Sequence, residues 1–337
     1  MTCWFVLPAG VDDPAAPSGG NVYDRRVSAG LGLRDVLVPG AWPHPDDNAR
    51  ARLDRALHAV PDGAVVLIDG LVACGVPEVV APHAERLKVA VLVHLPLAEE
   101  TGLPAEVAAR LDAAEGRCLR AAAAVIATSP AAGTRLAEHH GLSPVHVVPP
   151  GVDRAALAPG TDGVSRLLTV ASITPRKGHD VLIKALTAVS DHPWTCAVVG
   201  PAPDSAYSTA VRESAGSCAD RFEWTGPLSG DALERQYAAA DLFVLASRAE
   251  TYGMVVTEAL ARGVPVMASA APDALGTGGL LLPGGDVPAW SAALRRWFED
   301  ADLRVRLRAA AAARRAELST WDETVTGVGV VLASLRA

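Results

Sequence analysis

Short apolar runs alternate with amphipathic stretches along most of the chain. The runs are mostly apolar rather than alternately polar, which is typical of strands buried on both faces of a parallel sheet. The runs predicted as strands are residues 3–7, 35–38, 64–68, 88–93, 123–127, 145–148, 167–170, 196–199, 222–224, 242–245, 264–268 and 280–282. Between them, stretches such as residues 49–58, 105–121 and 131–139 have the spacing of helices. The pattern therefore predicts an α/β fold.

A passage rich in proline and glycine interrupts this alternation. Residues 149–163 show little apolar periodicity, and strands and helices alternate again after them. We therefore predict two tandem Rossmann-like, doubly wound domains, with residues 1–155 in the first and 156–318 in the second. Ligands of such sheets bind at the carboxyl ends of the strands, so an interdomain cleft is the expected site.

Composition narrows the possible classes of function. The chain has 337 residues, half of them apolar, which favours two cores and argues against disorder. The net charge of −8 argues against a broad nucleic-acid surface or docking on anionic lipid. The five cysteines form no C-x-x-C pair, and the first residues do not resemble a signal peptide. Since no apolar stretch is long enough to span a bilayer, we predict a soluble, cytoplasmic protein.

Residues 241–270 carry the most chemical information. A strand, a polar turn, a helix predicted over residues 254–261 and a further strand follow one another. This order places Glu250 on the turn and Glu258 on the helix. The N–H groups at the helix start favour an anion such as a phosphate. Carboxylates beside an anion site suit a ligand with both hydroxyls and phosphates, such as a nucleotide sugar.

Two other turns carry residues suited to a diphosphate. Gly19 and Gly20 precede a helix predicted over residues 22–31, and glycines let the backbone approach a phosphate closely. Arg176 and Lys177 lie in the turn after the first strand of the second domain, where two cations would neutralise a departing diphosphate. A plain turn and a solvated basic turn are the alternative interpretations of these segments.

Other chemistries lack their sequence patterns. There is no G-x-x-x-x-G-K-[ST] loop, and no G-x-G-x-x-G follows the first strand, which argues against P-loop and classical dinucleotide-binding proteins. If all the intervening residues were helical, the backbones of Glu250 and Glu258 would lie about 12 Å apart. Paired glycosidase carboxyl groups lie roughly 5–9.5 Å apart, which favours transfer over hydrolysis. No metal site is predicted.

Several segments together resemble the retaining glycosyltransferases of family four, which have the GT-B fold. The resemblance is carried by E-T-Y-G-M…E-A-L-A-x-G-x-P-V, Ser18-Gly19-Gly20, His94, Pro150-Gly151-Val152-Asp153 and Pro175-Arg176-Lys177-Gly178-His179-Asp180. These segments follow one another in the expected order over most of the chain. The resemblance also implies that residues 319–337 form a helix crossing back to the first domain.

The resemblance implies roles for individual residues. Glu250 would hold hydroxyls of the donor sugar, and Glu258 would accept a hydrogen bond from the nucleotide ribose. His94 would lie near the reacting centre as an orienting group or a general base, the alternative being a histidine that caps a buried strand. The residues expected in catalysis are His94, Arg176, Lys177 and Glu250. Those expected to bind the donor are Gly19, Gly20, Leu228, Tyr252, Gly253, Met254 and Glu258.

The predicted activity is that of a metal-independent, retaining glycosyltransferase. It would move a sugar from a UDP- or GDP-linked donor, bound mainly by the second domain, to a small soluble acceptor on the first. Same-face attack with the diphosphate as base is expected, because no well-placed carboxylate nucleophile is visible. No bound cofactor, nucleic-acid partner or integral membrane contact is expected. A nucleotide-sugar epimerase of the same fold and a non-catalytic nucleotide-sugar-binding protein are the alternatives.

Overall fold

A computed structural model describes residues 3–13, 18–100 and 102–336. The chain divides into two compact units. The first contains the residues through Gly151 together with those from Ser319 onward, and the second is Val152–Leu318. In the described part of the chain, each unit is built on one six-stranded parallel sheet flanked by helices. The predicted fold class, two Rossmann-like α/β units in tandem, is confirmed.

Every predicted strand is present, with ends within two residues of the prediction. The strands in chain order are Trp4–Pro8 (β1), Arg34–Val38 (β2), Val65–Asp69 (β3), Lys88–Val93 (β4), Ala124–Ala127 (β5), Val145–Val147 (β6), Arg166–Val170 (β7), Thr195–Val199 (β8), Phe222–Gly226 (β9), Leu242–Leu245 (β10), Val266–Ala268 (β11) and Gly279–Leu281 (β12). The order across the first sheet is β2-β1-β3-β4-β5-β6, and across the second it is β12-β11-β10-β7-β8-β9.

The helices cover these sheets, and several of the turns discussed below lie at their first residues. In chain order they are Gly19–Leu31 (α1), Asp47–His58 (α2), Gly70–Ala73 (α3), Pro77–His83 (α4), Ala105–Ala121 (α5), Pro130–His140 (α6), His179–Thr187 (α7), Ser205–Glu213 (α8), Gly230–Ala238 (α9), Met254–Ala261 (α10), Pro272–Leu275 (α11), Val287–Glu299 (α12), Ala301–Arg315 (α13) and Trp321–Ser334 (α14). None of the helices in the described residues combines the length and the apolar character needed to cross a membrane.

Burial on both faces explains why the strands read as continuous apolar runs. In the second sheet, Leu167 and Val244 belong to one apolar cluster, whereas their neighbours Leu168 and Phe243 belong to another. Alternate residues of a strand point to opposite faces, so the two clusters lie on opposite sides of the sheet. Both faces are therefore covered, and polar alternation is lost.

Single side chains decide where the helices begin. Helix α1 starts three residues before its predicted position because the Ser18 hydroxyl accepts the Asn21 N–H at 3.1 Å. Helix α2 likewise starts at Asp47 because Asp46 accepts the Ala49 N–H at 2.7 Å. Such caps satisfy N–H groups that lack a partner within the helix.

The segment between the two sheets has neither helix nor strand from residue 148 to residue 165. Its second half is attached to the second unit by Asp241, a buried carboxylate just before β10. Asp241 accepts the N–H groups of Thr161, Gly163 and Arg166 at 2.8–3.0 Å and the Thr161 hydroxyl at 2.6 Å. The aspartate thus replaces the backbone partners that a strand or helix would have given this segment.

Helix α14 belongs to the first unit, where it packs against α1. A capping box formed by Thr320 and Glu323 starts it. The Trp321 ring meets that of Tyr23 edge to face at 6.1 Å. A Cβ at Gly30 would lie 2.5 Å from the Val325 side chain, so the two helices approach closely only because that position lacks a side chain.

Candidate functional site

In the second unit, Glu250 lies between two cations. Its Oε1 accepts hydrogen bonds from the Lys177 ammonium at 2.5 Å and from the Ser247 hydroxyl at 2.6 Å. Arg176 lies 3.9 Å from Oε2 and also donates to the Ala249 carbonyl at 3.3 Å. The three charged side chains are 7–18% exposed, so none of them points into bulk water. The structure thus brings Glu250 together with the turn of Arg176 and Lys177, which the sequence predicted as two separate features.

A close backbone approach holds the cationic turn against the end of β10. Gly178 has a φ of +65°, and a Cβ there would lie 2.0 Å from the carbonyl oxygen of Ala246. Only glycine allows both this conformation and this contact. The Arg248 N–H donates to the Arg176 carbonyl at 2.7 Å across the same junction. The turn after β7 and the loop after β10 are therefore packed directly against each other.

An arginine–aspartate pair reinforces this junction from outside. Arg248 donates to both carboxylate oxygens of Asp180 at 2.9 and 2.7 Å and to the Pro175 carbonyl at 2.6 Å. Tyr207 adds a hydrogen bond to Asp180 at 2.9 Å. Burial opposes the charge on Asp180, but the hydrogen bonds from Arg248 and Tyr207 outweigh it and lower the pKa of that carboxyl. Bidentate pairs of this kind fix geometry as well as charge.

Helix α10 begins immediately beyond this loop. Gly253 precedes it with a φ of +98°, and a Cβ there would lie 2.9 Å from the Ala271 side chain. Within the described residues, no side chain caps the start at Met254. The first N–H groups of a helix lack intrahelical acceptors and carry the positive end of its dipole. The loop therefore joins two cations and a carboxylate to a helix start suited to an anion.

Glu258 lies one turn further along α10 with a separate set of partners. Its Oε2 accepts the hydroxyl of the fully buried Tyr237 at 2.7 Å, and its backbone carbonyl accepts from Arg262. Burial raises the pKa of Glu258, and the Tyr237 hydrogen bond partly offsets that rise. The structure gives Glu250 and Glu258 different hydrogen-bond partners. Tyr237 was not predicted, because nothing in its sequence context distinguishes it from a core tyrosine.

Two further residues that were predicted to bind the donor lie against an apolar cluster. Leu228 and Tyr252 pack against the apolar cluster that contains Phe243. Burial raises the pKa of the Tyr252 phenol. Their expected contacts with a donor remain predictions.

In the first unit, His94 lies directly after β4 and packs on the glycines that open α1. A Cβ at Gly20 would lie 3.1 Å from the His94 ring, while Gly19 is the first residue of the helix capped by Ser18. The His94 Nε2 lies 2.8 Å from Asp24. Burial lowers the pKa of His94 and raises that of Asp24 to about 7.

Asp24 and its neighbour Asp69 were both missed in the sequence. Asp69 ends β3 at the carboxyl edge of the sheet, which was a usable signal. Asp24 lies in a helical stretch of mixed polarity and offered none.

Three clusters in the described residues bring possible metal-ligand atoms within 4.8 Å of one another. They are Asp54 with His58 and His83, Asp112 with His139 and His140, and Asp24 with Asp69 and His94. In each, one imidazole is already hydrogen-bonded to a carboxylate, at 2.8, 2.7 and 2.8 Å respectively. A metal ion would have to replace these hydrogen bonds. At His83 the second ring nitrogen also receives an Arg86 N–H, which fixes the other nitrogen as a donor rather than a ligand.

Comparison with known proteins assigns both units to glycosyltransferases. Residues 16–156 match the family described as Glycosyltransferase Family 4, and residues 164–300 match Glycosyl transferases group 1. The D-inositol 3-phosphate glycosyltransferase of Jonesia denitrificans is 31% identical over 220 residues, which cover 57% of this chain and 52% of that protein. The corresponding protein of Salinispora tropica is 34% identical over 214 residues, 54% of this chain and 44% of the relative. The chain thus spans about half the length of these curated relatives.

Solved structures of the same fold cover nearly the whole chain. Sucrose-phosphate synthase from Thermosynechococcus elongatus superposes with a TM-score of 0.80 at 20% identity, covering 99% of each chain. Anabaena HepE in complex with UDP-glucose gives a TM-score of 0.79 at 18% identity, covering 99% of this chain and all of that one. At this level of identity the likeness establishes the fold.

Proposed function

We propose a function for this chain from its membership of the family-four glycosyltransferases with the GT-B fold. In this proposal it transfers a sugar from a nucleoside-diphosphate donor to a small soluble acceptor, with retention of the anomeric configuration. A UDP-linked sugar is the first donor to test, because Anabaena HepE was solved with UDP-glucose. A phosphorylated polyol is the first acceptor to test, because the relatives are named for D-inositol 3-phosphate.

The arrangement of Lys177, Arg176 and Glu250 beside the start of α10 carries this proposal. Two cations and one carboxylate leave a net positive charge where the helix dipole also favours an anion. A donor diphosphate bound there gains charge as the sugar departs, so the cations stabilise the transition state more than the ground state. Because two protein cations can take this part, we propose that no divalent metal is needed.

The hydrogen bonds of Glu250 support the proposal of same-face attack. Its Oε1 already accepts from an ammonium and a hydroxyl, so it is poorly placed to become a nucleophile. In the step we propose, the bond between the anomeric carbon and the diphosphate breaks, and a bond to the acceptor oxygen forms on the same face. The acceptor proton passes to the departing phosphate oxygen. Glu250 then orients a sugar hydroxyl and holds the two cations in position.

We place this reaction in the cytoplasm. The five cysteines, all within the described residues, are free and buried. Buried, unpaired thiols are typical of a reducing compartment.

A panel of nucleotides with matched variants tests the proposal. A nucleotide at 100 times its Kd stabilises the fold by about 2.7 kcal/mol, so UDP should raise the unfolding temperature where adenosine or cytidine diphosphate does not. Arg176→Met should remove most of this stabilisation, whereas Arg308→Met, which changes an arginine near Gly163, should leave it intact. Failure of every nucleoside diphosphate to stabilise the chain would overturn the proposal. Donor turnover without any acceptor would favour an epimerase, and binding without turnover a regulatory protein.

A further inference from the structure

We propose that Asp24 and Asp69 form a buried carboxyl pair that shares one proton, with Asp24 ionised and Asp69 protonated, and that this pair positions the ring of His94. The proposal deepens the proposed function and rests on it, because His94 is one of the residues expected to act there. Asp24 and Asp69 are positioning residues, since they act on substrate only through the histidine.

The three side chains converge from three elements of the first unit. Asp24 lies on α1, Asp69 ends β3, and His94 follows β4. The His94 Nε2 lies 2.8 Å from Asp24 Oδ1 and 4.0 Å from Asp69 Oδ2. The Asp24 side chain is fully buried, and that of Asp69 is 6% exposed. Tyr23 meets the ring edge to face at 5.3 Å, and Gly20 lies against it.

The hydrogen-bond partners of the two acids place the shared proton on Asp69. Within the described residues, Asp24 Oδ2 is buried and has no donor as long as both acids are ionised. Asp69 Oδ1 accepts the Leu71 N–H at 2.6 Å, which leaves its other oxygen to carry a proton toward Asp24. Two adjoining carboxyls in a buried site cannot both be ionised. Burial raises the pKa of both acids, that of Asp24 to about 7.

Other charges near the pair do not change this assignment. Of the other charged groups near Asp24, Arg25 pairs with both Asp35, at 2.5 Å, and Asp12, so its charge is taken up by those two carboxylates. The remaining titratable neighbours stay neutral, because burial raises the pKa of Tyr23 and the hydrogen bond with Cys118, together with burial, raises that of Cys74. The groups that titrate within the site are therefore the two acids and His94.

The pair fixes the tautomer of His94. A carboxylate at Asp24 accepts the Nε2–H, so the neutral ring keeps its lone pair on Nδ1. Burial lowers the pKa of His94, which favours this neutral form. An Nδ1 lone pair accepts a hydrogen bond from a sugar or acceptor hydroxyl. Protonation of Asp24 below about pH 7 removes the charge that holds the Nε2–H and lets the carboxyl donate to Nε2 instead, which allows the opposite tautomer.

Two isosteric variants separate this role from a purely structural one. Asp69→Asn keeps a neutral donor beside Asp24, so its kcat should fall much less than that of Asp24→Asn, and the acidic limb of its pH profile should remain. Asp24→Asn removes the charge that orients the ring, so kcat should fall about 10–100-fold, as for other groups that orient a functional histidine. Its donor KM should stay within about twofold, and the limb near pH 7 should flatten. Equal losses in the two variants would overturn the proposal.

Nitrogen-15 spectra of the histidine rings give a readout independent of activity. His94 is identified by the signals lost in His94→Gln. Wild type and Asp69→Asn should show a proton on Nε2 and a bare Nδ1, whereas Asp24→Asn should show the reversed or mixed tautomer. An unchanged tautomer in folded Asp24→Asn would refute the proposal even if transfer is observed. Conversely, the expected tautomers would stand even if the proposed transferase activity failed.

Discussion

Replacing Gly178 by alanine should separate the cationic turn from the end of β10. Contacts of a Cβ below 3.0 Å essentially do not occur, whereas this Cβ would lie 2.0 Å from the Ala246 carbonyl oxygen. The turn must therefore retreat by about 1 Å, and a misplacement of about 1 Å of a positioning group can lower a rate by about 10²-fold. Left-handed strain and overpacking together should lower the free energy of unfolding by about 2–4 kcal/mol.

Gly141 provides a matched control for this prediction. It has the same φ of +65°, but a Cβ there would meet nothing within 4 Å. Gly141→Ala should therefore cost only the backbone strain, about 1–2 kcal/mol, and leave kcat unchanged. Urea unfolding and steady-state kcat at saturating donor measure both quantities for both variants. If Gly178→Ala matched Gly141→Ala in kcat, the close approach would not be what positions Arg176 and Lys177.

Substitutions at Lys177, Tyr237 and Asp24 test the two units separately. Lys177→Met should lower kcat by about 10²–10³-fold, the usual loss when an electrostatic donor is removed. Lys184 is exposed, so Lys184→Met should leave kcat unchanged, and steady-state kinetics can compare the two variants. Tyr237→Phe should raise the donor KM about 5–10-fold with little change in kcat, because it removes the hydroxyl that holds Glu258; a larger loss in kcat than in KM would contradict this. Burial raises the pKa of Asp24 from 3.8 in the unfolded chain to about 7 in the folded chain. Between about pH 4 and pH 7 the folded chain therefore binds a proton that the unfolded chain has released. The free energy of unfolding should fall as pH rises through this range, because the buried carboxyl loses its proton. Urea unfolding should show Asp24→Asn gaining stability relative to wild type over that range, and a flat difference would contradict the assignment.

The sheets could be predicted from the sequence because their strands are buried on both faces. Leu167 and Leu168, for example, lie in different apolar clusters on the two faces of the sheet. Such a strand is a continuous apolar run, which can be recognised without knowing which strands it pairs with. The starts of helices were predicted less accurately than the strands. Each start depends on one side chain, such as Ser18, that accepts a hydrogen bond from a backbone N–H. At β11 the error has another cause. Val264, predicted as strand, bonds back to Ala259 and so completes the end of α10.

The candidate site was predictable only in part. Arg176, Lys177 and Glu250 stood out because each lies in a turn just after a strand. Their pairing across 73 residues depends on the neighbouring positions of β7 and β10, which pattern alone does not supply.

Polar residues turned inward were harder to recognise. Asp24 is buried because α1 has α14 on one side and His94 on the other, and both contacts are distant in sequence. Ser247 and Tyr237 are ordinary core positions until their glutamate partners are known.

The anomeric configuration of the product tests the central claim most directly. Proton NMR of a reaction with an α-linked UDP-sugar and a phosphorylated polyol should show an α-linked product, formed without added metal and at least about 100-fold more slowly by Lys177→Met. A β-linked product, or a product rate unaffected by Lys177→Met, would contradict the account of a diphosphate held by the cationic turn and attacked on the same face.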